Sequence, residues 1–204
     1  TEIYTLSLHD ALPISLNEII SKNKKSNPAQ ILDLMRQNVI DTLGKNQIGH
    51  KDGIDIALCV INTASRELHY SGARIPLWIV AENNTVLSEQ FLSNDLLVAD
   101  GYKLAQVKAD IMPVGLIDRM ESFSEQVIKL PDNKISVYIA SDGFSDQFGK
   151  SDGKKYSVKR LKQLILQNAG KPFKEQGLML EEEFQTWKGD GEQIDDVTVL
   201  GIRL

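Results

Sequence analysis

A chain of 204 residues, 42% apolar and 25% charged, has the composition of one ordinary globular domain with a substantial core. Its net charge of −5 excludes a general nucleic-acid binder, which needs a basic footprint, and argues equally against a surface that clings to anionic lipid. No stretch reaches the roughly 20 consecutive apolar residues of a membrane helix, so no membrane contact is expected of this segment. The single cysteine, Cys59, cannot close an internal disulfide, which points to a reducing, cytoplasmic setting. It lies in the apolar run IDIALCVIN, where a free thiol packs as a small hydrophobe and is not a nucleophile.

Residues 1–14, TEIYTLSLHDALPI, lack the basic start and apolar block of a signal peptide. Their composition suits neither a capped helix nor a paired strand, so they are expected to make little contact with a domain that spans 15–204. SLNEIISKN reads as a short helix. The next helix is better marked, with Asn27 as N-cap, Pro28 at the first helical position and Gln30 three residues after the cap. Leu32, Met35, Val39 and Leu43 follow on one face, and Gly44 supplies the stop.

The period then changes. IDIALCVIN, ELHYSGA, PLWIVAE and TVLSEQF read as strands joined by the turns NTASR and ENN, which favours antiparallel neighbours. An irregular section around KADIMPVGLID precedes two further strands, SFSEQVIKL and KISVYIA, joined by Pro131-Asp132-Asn133. SVKRLKQLILQNAG then carries Val158, Leu161 and Ile165 on one helical face. PFKEQGLMLEEEFQTW carries Phe173, Gly177, Leu180, Phe184 and Trp187 as a core stripe, and VTVLGIRL closes the chain as a strand. Strands, then helices, then a last strand predict an α+β layered sandwich in place of a strictly alternating parallel fold.

Two acidic constellations fall at strand ends. Val137-Tyr138-Ile139-Ala140 runs into Ser141-Asp142-Gly143-Phe144-Ser145-Asp146, where Gly143 lets backbone or ligand come close to a rigidly held carboxylate. Asp195-Asp196 immediately precede Val197-Thr198-Val199-Leu200, and a divalent cation would relieve the repulsion between such neighbours. Oxygen-only ligands suit Mg²⁺ or Mn²⁺ and not zinc. Taken singly, Asp-Gly after a strand is an ordinary turn and Asp-Asp before one guards an exposed edge. His9, His50 and His69 show no metal-ligand spacing. There is no G-x-S-x-G elbow, phosphate-cradling glycine loop or C-x-x-C pair.

In order, DGIDIALCVINTASRELHYSGARIPLWIV, IMPVG, VYIASDGFSDQFG and GDGEQIDDVTVLGIRL resemble the SpoIIE-type branch of the bacterial PPM metal-dependent serine/threonine protein phosphatases, over about residues 15–204. The resemblance implies a central β-sandwich flanked by helices in α-β-β-α layers. It also implies a centre of two Mg²⁺ or Mn²⁺ ions that hydrolyses phosphoserine or phosphothreonine by activating a water. Asp142 and Asp195 match ligands essential for catalysis. The metal-binding set is Asp142 with its neighbour Gly143, Asp195, and Asp146 at a weaker accessory position. Asp196 would support that set from behind, and Arg74, in a loop where the family usually has G-x-N-N-P, would be a phosphate contact. The implied partner is a phosphorylated regulatory protein such as an anti-sigma-factor antagonist, with a sensor domain upstream in a longer protein. A rival expectation is a catalytically dead phosphatase-like module that binds a signalling partner.

The family's earlier G-D-x-x-G-H-G motif, whose aspartate bridges both ions, does not occur in the chain. TEIYTLSLHDALPI stands in its place and resembles translated sequencing adapter, so the domain is expected to be incomplete at its N-terminal end and its activity impaired. Asp10 is no substitute, because no glycine follows it and no apolar strand precedes it.

Overall fold

The computed structural model describes residues 2–7, 12–22, 26–43, 53–87, 96–132, 134–150 and 153–204. In chain order the elements are β1 (Glu2–Ser7), α1 (Leu12–Lys22), α2 (Pro28–Leu43), β2 (Gly53–Ile54), β3 (Ile56–Asn62), β4 (Glu67–Ala73), β5 (Leu77–Glu82), β6 (Leu97–Ala99), β7 (Tyr102–Val107), β8 (Val114–Gly115), β9 (Gln126–Lys129) and β10 (Ile135–Ala140), then α3 (Gly143–Asp146), α4 (Val158–Gln167), α5 (Phe173–Lys188) and β11 (Val199–Arg203). The strands form a four-stranded sheet β1-β3-β4-β9, a five-stranded sheet β11-β10-β5-β7-β6 and a two-stranded sheet β2-β8. This is the expected α+β class with antiparallel pairing. The chain divides into two compact units, Thr1–Leu77 with Val107–Leu130, and Trp78–Gln106 with Pro131–Leu204.

In the first unit the predicted cap of α2 is formed in both directions. The Gln30 amide donates to Asn27 Oδ1 at 2.9 Å, and the Asn27 amide donates to Gln30 Oε1 at 3.1 Å. One face of α2 buries Leu32 and Met35 against Leu16 and Ile19 of α1 and against Ile56 and Leu58, two residues apart in β3. Each such side chain contributes about 1.5–3 kcal/mol on leaving water. β3 and β4 pair around the turn 63–66, where Asn62 Oδ1 accepts the Ala64 and Ser65 amides.

Three expectations change here. α1 begins at Leu12, three residues before the predicted Ser15 start. Glu2–Ser7 pair with β3 from Glu2↔Ile61 to Ser7↔Ile56, so the leader does contact the sheet. The strand foreseen over SFSEQVIKL shrinks to β9, because the segment before it bonds to α2 in place of a strand. There Arg36 Nη1 donates to Glu121 O at 2.6 Å, and the Phe123 amide donates to Asp33 Oδ1 at 3.2 Å.

In the second unit β10 is an interior strand, paired with β5 and β11, and all six of its residues are buried. Its Tyr138 and Ala140 pack with Trp78, Leu161, Ile165, Leu166 and Phe184, which gives α4 and α5 their inner faces. Val158, in the first turn of α4, is exposed, and so is Gly177, so neither belongs to the predicted core face. Thr85, Val86 and Leu87 form no strand, and the rest of TVLSEQF lies outside the described residues. β6 and β7 make a hairpin that pattern reading passed over. Its two-residue turn, Asp100-Gly101, has φ of 52° and 84°, the left-handed pair that a tight hairpin requires.

Candidate functional site

The two acidic motifs are brought together within the second unit. β10 and β11 are antiparallel neighbours ending at the pair Ala140↔Val199, so the S-D-G and D-D-V-T segments leave the sheet side by side. Beyond that pair the ladder continues through Ser141. Its amide donates to Thr198 O at 2.9 Å, its Oγ accepts the Thr198 amide at 2.9 Å, and its hydroxyl donates to Asp196 O at 3.1 Å.

Gly143 is the closest point of approach. A Cβ built there would lie 2.3 Å from Asp196 O and 2.9 Å from the Asp196 carbonyl carbon. No side chain fits, so the sequence must have glycine here for the two segments to pack. Gly143 therefore serves the site as a backbone contact.

α3 is one turn long, and tertiary contacts hold it. Its Phe144 is fully buried, with ring centroids 5.0 Å from Tyr156 and 5.1 Å from Phe184, both edge-on. Tyr156 in turn meets Trp187 edge-on, and burial pushes its phenol well above the usual range, so the cluster stays neutral. The Asp142 carbonyl accepts the Asp146 amide at 2.8 Å and the Ser145 hydroxyl at 3.0 Å, which fixes the backbone of the first motif.

The predicted side chains fall as follows. Asp142 is exposed and its side chain makes no capping bond to α3. Asp195 is exposed, and its Oδ1 accepts the Asp196 amide at 2.7 Å. Asp146 is half-buried and its Oδ2 lies 2.7 Å from Lys155 Nζ, so an ammonium already sits on the predicted accessory position. Asp196 contributes its carbonyl to the packing described above. Arg74 belongs to the first unit, with φ of 62°. Its Nη1 lies 3.4 Å from Asp55 Oδ1 and its Nε donates to Ile111 O at 3.2 Å, so its guanidinium is engaged within that unit. His69 lies in β4 with Nδ1 2.7 Å from Glu125 Oε1, while His9, His50 and Asp10 lie outside the described residues. Cys59 is buried as expected, and burial pushes its thiol up to about 12.

Sequence reasoning missed Ser141 and Gln147 as members of this site. Gln147, 1% exposed, donates through Nε2 to Glu192 O at 2.9 Å, and its Oε1 accepts the Ile194 amide at 3.3 Å. A glutamine directly after a short acidic motif was the available signal, but its partners lie more than forty residues away.

A hard divalent cation suits the chemistry of the donors, since Asp142, Asp146 and Asp195 offer oxygen only, on segments locked to one another. Among the described residues no three His, Cys, Asp or Glu side chains already converge as a metal-holding group. Of these three carboxylates, Asp146 is the one paired with a cation, and among the described residues Asp142 and Asp195 have no cationic partner.

Comparison with known proteins agrees with this architecture. The SiaA-PP2C domain of Pseudomonas aeruginosa superposes with a TM-score of 0.74 at 18% identity, over 99% of this chain and 80% of that one. The PP2C phosphatase domain of the cell-fate determinant SpoIIE from Bacillus subtilis, solved with a fragment of its regulatory domain, gives 0.62 at 12%, over 98% and 56%. RsbX in complex with magnesium gives 0.55 at 10%, over 98% and 85%. The fold is thus that of the PP2C-type phosphatases. The family model for Stage II sporulation protein E (SpoIIE) matches residues 14–204, and the chain belongs to that family of PPM phosphatase domains. No curated protein sequence matches it. Among the described residues no helix is long and apolar enough to cross a membrane.

Proposed function

We propose that this domain hydrolyses phosphoserine or phosphothreonine on a bacterial regulatory protein, such as an anti-sigma-factor antagonist, with Mg²⁺ or Mn²⁺ as its cation. The observation that carries this reading is the packing of the S-D-G segment onto the D-D-V-T segment through Ser141 and Gly143. That packing presents two exposed carboxylates, Asp142 and Asp195, from rigid neighbouring backbones. When bound, the cation supplies charge neutralisation at phosphorus and an activated water. The chain's own part is to hold it through Asp142 and Asp195 and to keep those carboxylates in place with no side chain at Gly143. Asp146 joins as a weaker ligand once Lys155 is displaced.

The test is release of phosphate from a phosphoserine regulatory protein with Mn²⁺, and with the metal chelated. Because no G-D-x-x-G-H-G motif occurs in these 204 residues, weak turnover is expected of them alone. The variants are therefore compared in a chain extended upstream by a segment that ends in that motif. There Asp142→Asn or Asp195→Asn is expected to lower turnover about a hundredfold or more, since each removes a charged ligand. Turnover that survives chelation, or is unchanged in both variants, overturns the reading. Tight binding of the phosphoprotein without turnover favours the docking module in its place.

A further inference from the structure

Residues 192–198 form no regular element, and all but Val197 are exposed. Their backbone is nevertheless held at every second residue by side chains of the 141–147 segment. Gln147 takes Glu192 O at 2.9 Å and the Ile194 amide at 3.3 Å. Ser141 takes Asp196 O at 3.1 Å and the Thr198 amide at 2.9 Å. Between these two staples Gly143 lies under Asp196 O, leaving no slack for the loop to sink inward. The alternation anchors 192, 194, 196 and 198 and brackets Asp195, whose carboxylate accepts the next amide.

Both anchors are almost fully buried, Gln147 at 1% and Ser141 at 3% exposure, and both are satisfied. The second Nε2 proton of Gln147 goes to Phe148 O at 3.3 Å, and the residue's main-chain carbonyl separately accepts Trp187 Nε1 at 2.9 Å. Only an amide offers two donors and an acceptor in this volume. A buried polar group that bridges forty-five residues of chain costs more to break than it contributes when made, because its partners are left unpaired.

We infer that Gln147 and Ser141 are positioning residues that hold Asp195 at a fixed place beside Asp142, so that the second acidic motif is preorganised by the first. This rests on the reading of Asp142 and Asp195 as metal ligands, and the experiment separates the two claims. Gln147→Met and Ser141→Ala nearly keep the volumes and remove the bonds. In the full chain, three quantities are measured for each: Mn²⁺ affinity from the electron paramagnetic resonance of the free ion, hydrogen exchange of the 191–198 amides, and melting temperature.

Both variants are expected to bind Mn²⁺ about 10- to 100-fold more weakly, the usual effect of losing a group that orients a ligand. They should exchange faster in 191–198 and melt within a few degrees of the parent. Ser141→Thr, which keeps the hydroxyl, should restore affinity. Gln147→Glu, which keeps only the acceptor for Ile194, should fall between. Unchanged Mn²⁺ affinity and unchanged exchange in Gln147→Met overturn the inference. If the parent binds no Mn²⁺, the metal reading fails, and exchange alone decides: faster exchange confined to 191–198 sustains the positioning role, and none removes it. If Gln147→Met does not fold, the Ser141→Ala and Ser141→Thr pair decides by the same criteria.

Discussion

Lys155 Nζ lies 2.7 Å from Asp146 Oδ2, an ion pair built by the isolated bridge between Phe148 and Lys155 that folds residues after α3 back on themselves. Both side chains are about half exposed, so the pair adds little to stability, of order 0–1 kcal/mol. Its consequence is electrostatic, because a cation approaching Asp146 meets a positive charge. Lys155→Gln is expected to leave the melting temperature nearly unchanged and to tighten Mn²⁺ uptake a few-fold, more at low salt than at high. Weaker uptake in a Mn²⁺ titration of that variant would show that Asp146 is no cation position.

β1 covers the edge of β3 along six paired residues, and its removal would leave the backbone of 56–61 facing water on that side. Deleting residues 1–7 is expected to lower the melting temperature by more than about 4 °C and to promote association through the bared edge. Calorimetry and light scattering check both effects. An unchanged transition would mean the pairing contributes nothing.

Asn27 carries the reciprocal cap of α2, and its Nδ2 also donates to Glu125 Oε2 at 2.7 Å. Asn27→Ala therefore frees one helix-start amide and one half-buried carboxylate. The expected loss is about 1–2 kcal/mol, read as a fall of roughly 2–8 °C in melting temperature. Gln30→Ala, which breaks only the returning bond, should cost less. Equal losses would place the effect elsewhere than in the cap.

Burial lifts the Cys59 thiol from an ordinary 9.0 to about 12, because an apolar interior disfavours the charged thiolate. The native chain keeps its proton while the unfolded chain gives it up above pH 9. Stability from this group is therefore whole below pH 9 and declines as pH rises from there towards 12. In native protein at pH 8 the thiol should resist iodoacetamide, and it should react promptly in denaturant. Rapid native alkylation would contradict the burial.

The local signals were legible where neighbours in sequence are neighbours in space. Asn27, Pro28 and Gln30 announce α2, and short β-rich runs between turn residues announce β3, β4 and β10. The acidic ends at Asp142 and Asp195 could be named as candidates because each stands beside its own strand. Asp100-Gly101 is an equally local signal for the β6–β7 hairpin, although the reading of the apolar runs does not use it. What failed was the extent of β9, since Phe123 and Glu121 bond to α2, and the behaviour of the first residues, whose partner strand lies some fifty residues on.

By itself the sequence determined the class of fold, the N-cap of α2, the buried inert cysteine and the identity of the acidic residues, all of which depend on local backbone preference and hydrophobic period. Tertiary structure alone decided that the two acidic motifs share one place. It also decided that Gly143 is obligatory because Asp196 presses against it, that Arg74 is spent on Asp55 and Ile111, and that Lys155 neutralises Asp146. The physical reason is that hydrogen bonds and steric contacts act over a few ångströms of space, whatever the separation along the chain. Ser141 meets Thr198 across fifty-seven residues, and no pattern read in a short window carries that pairing.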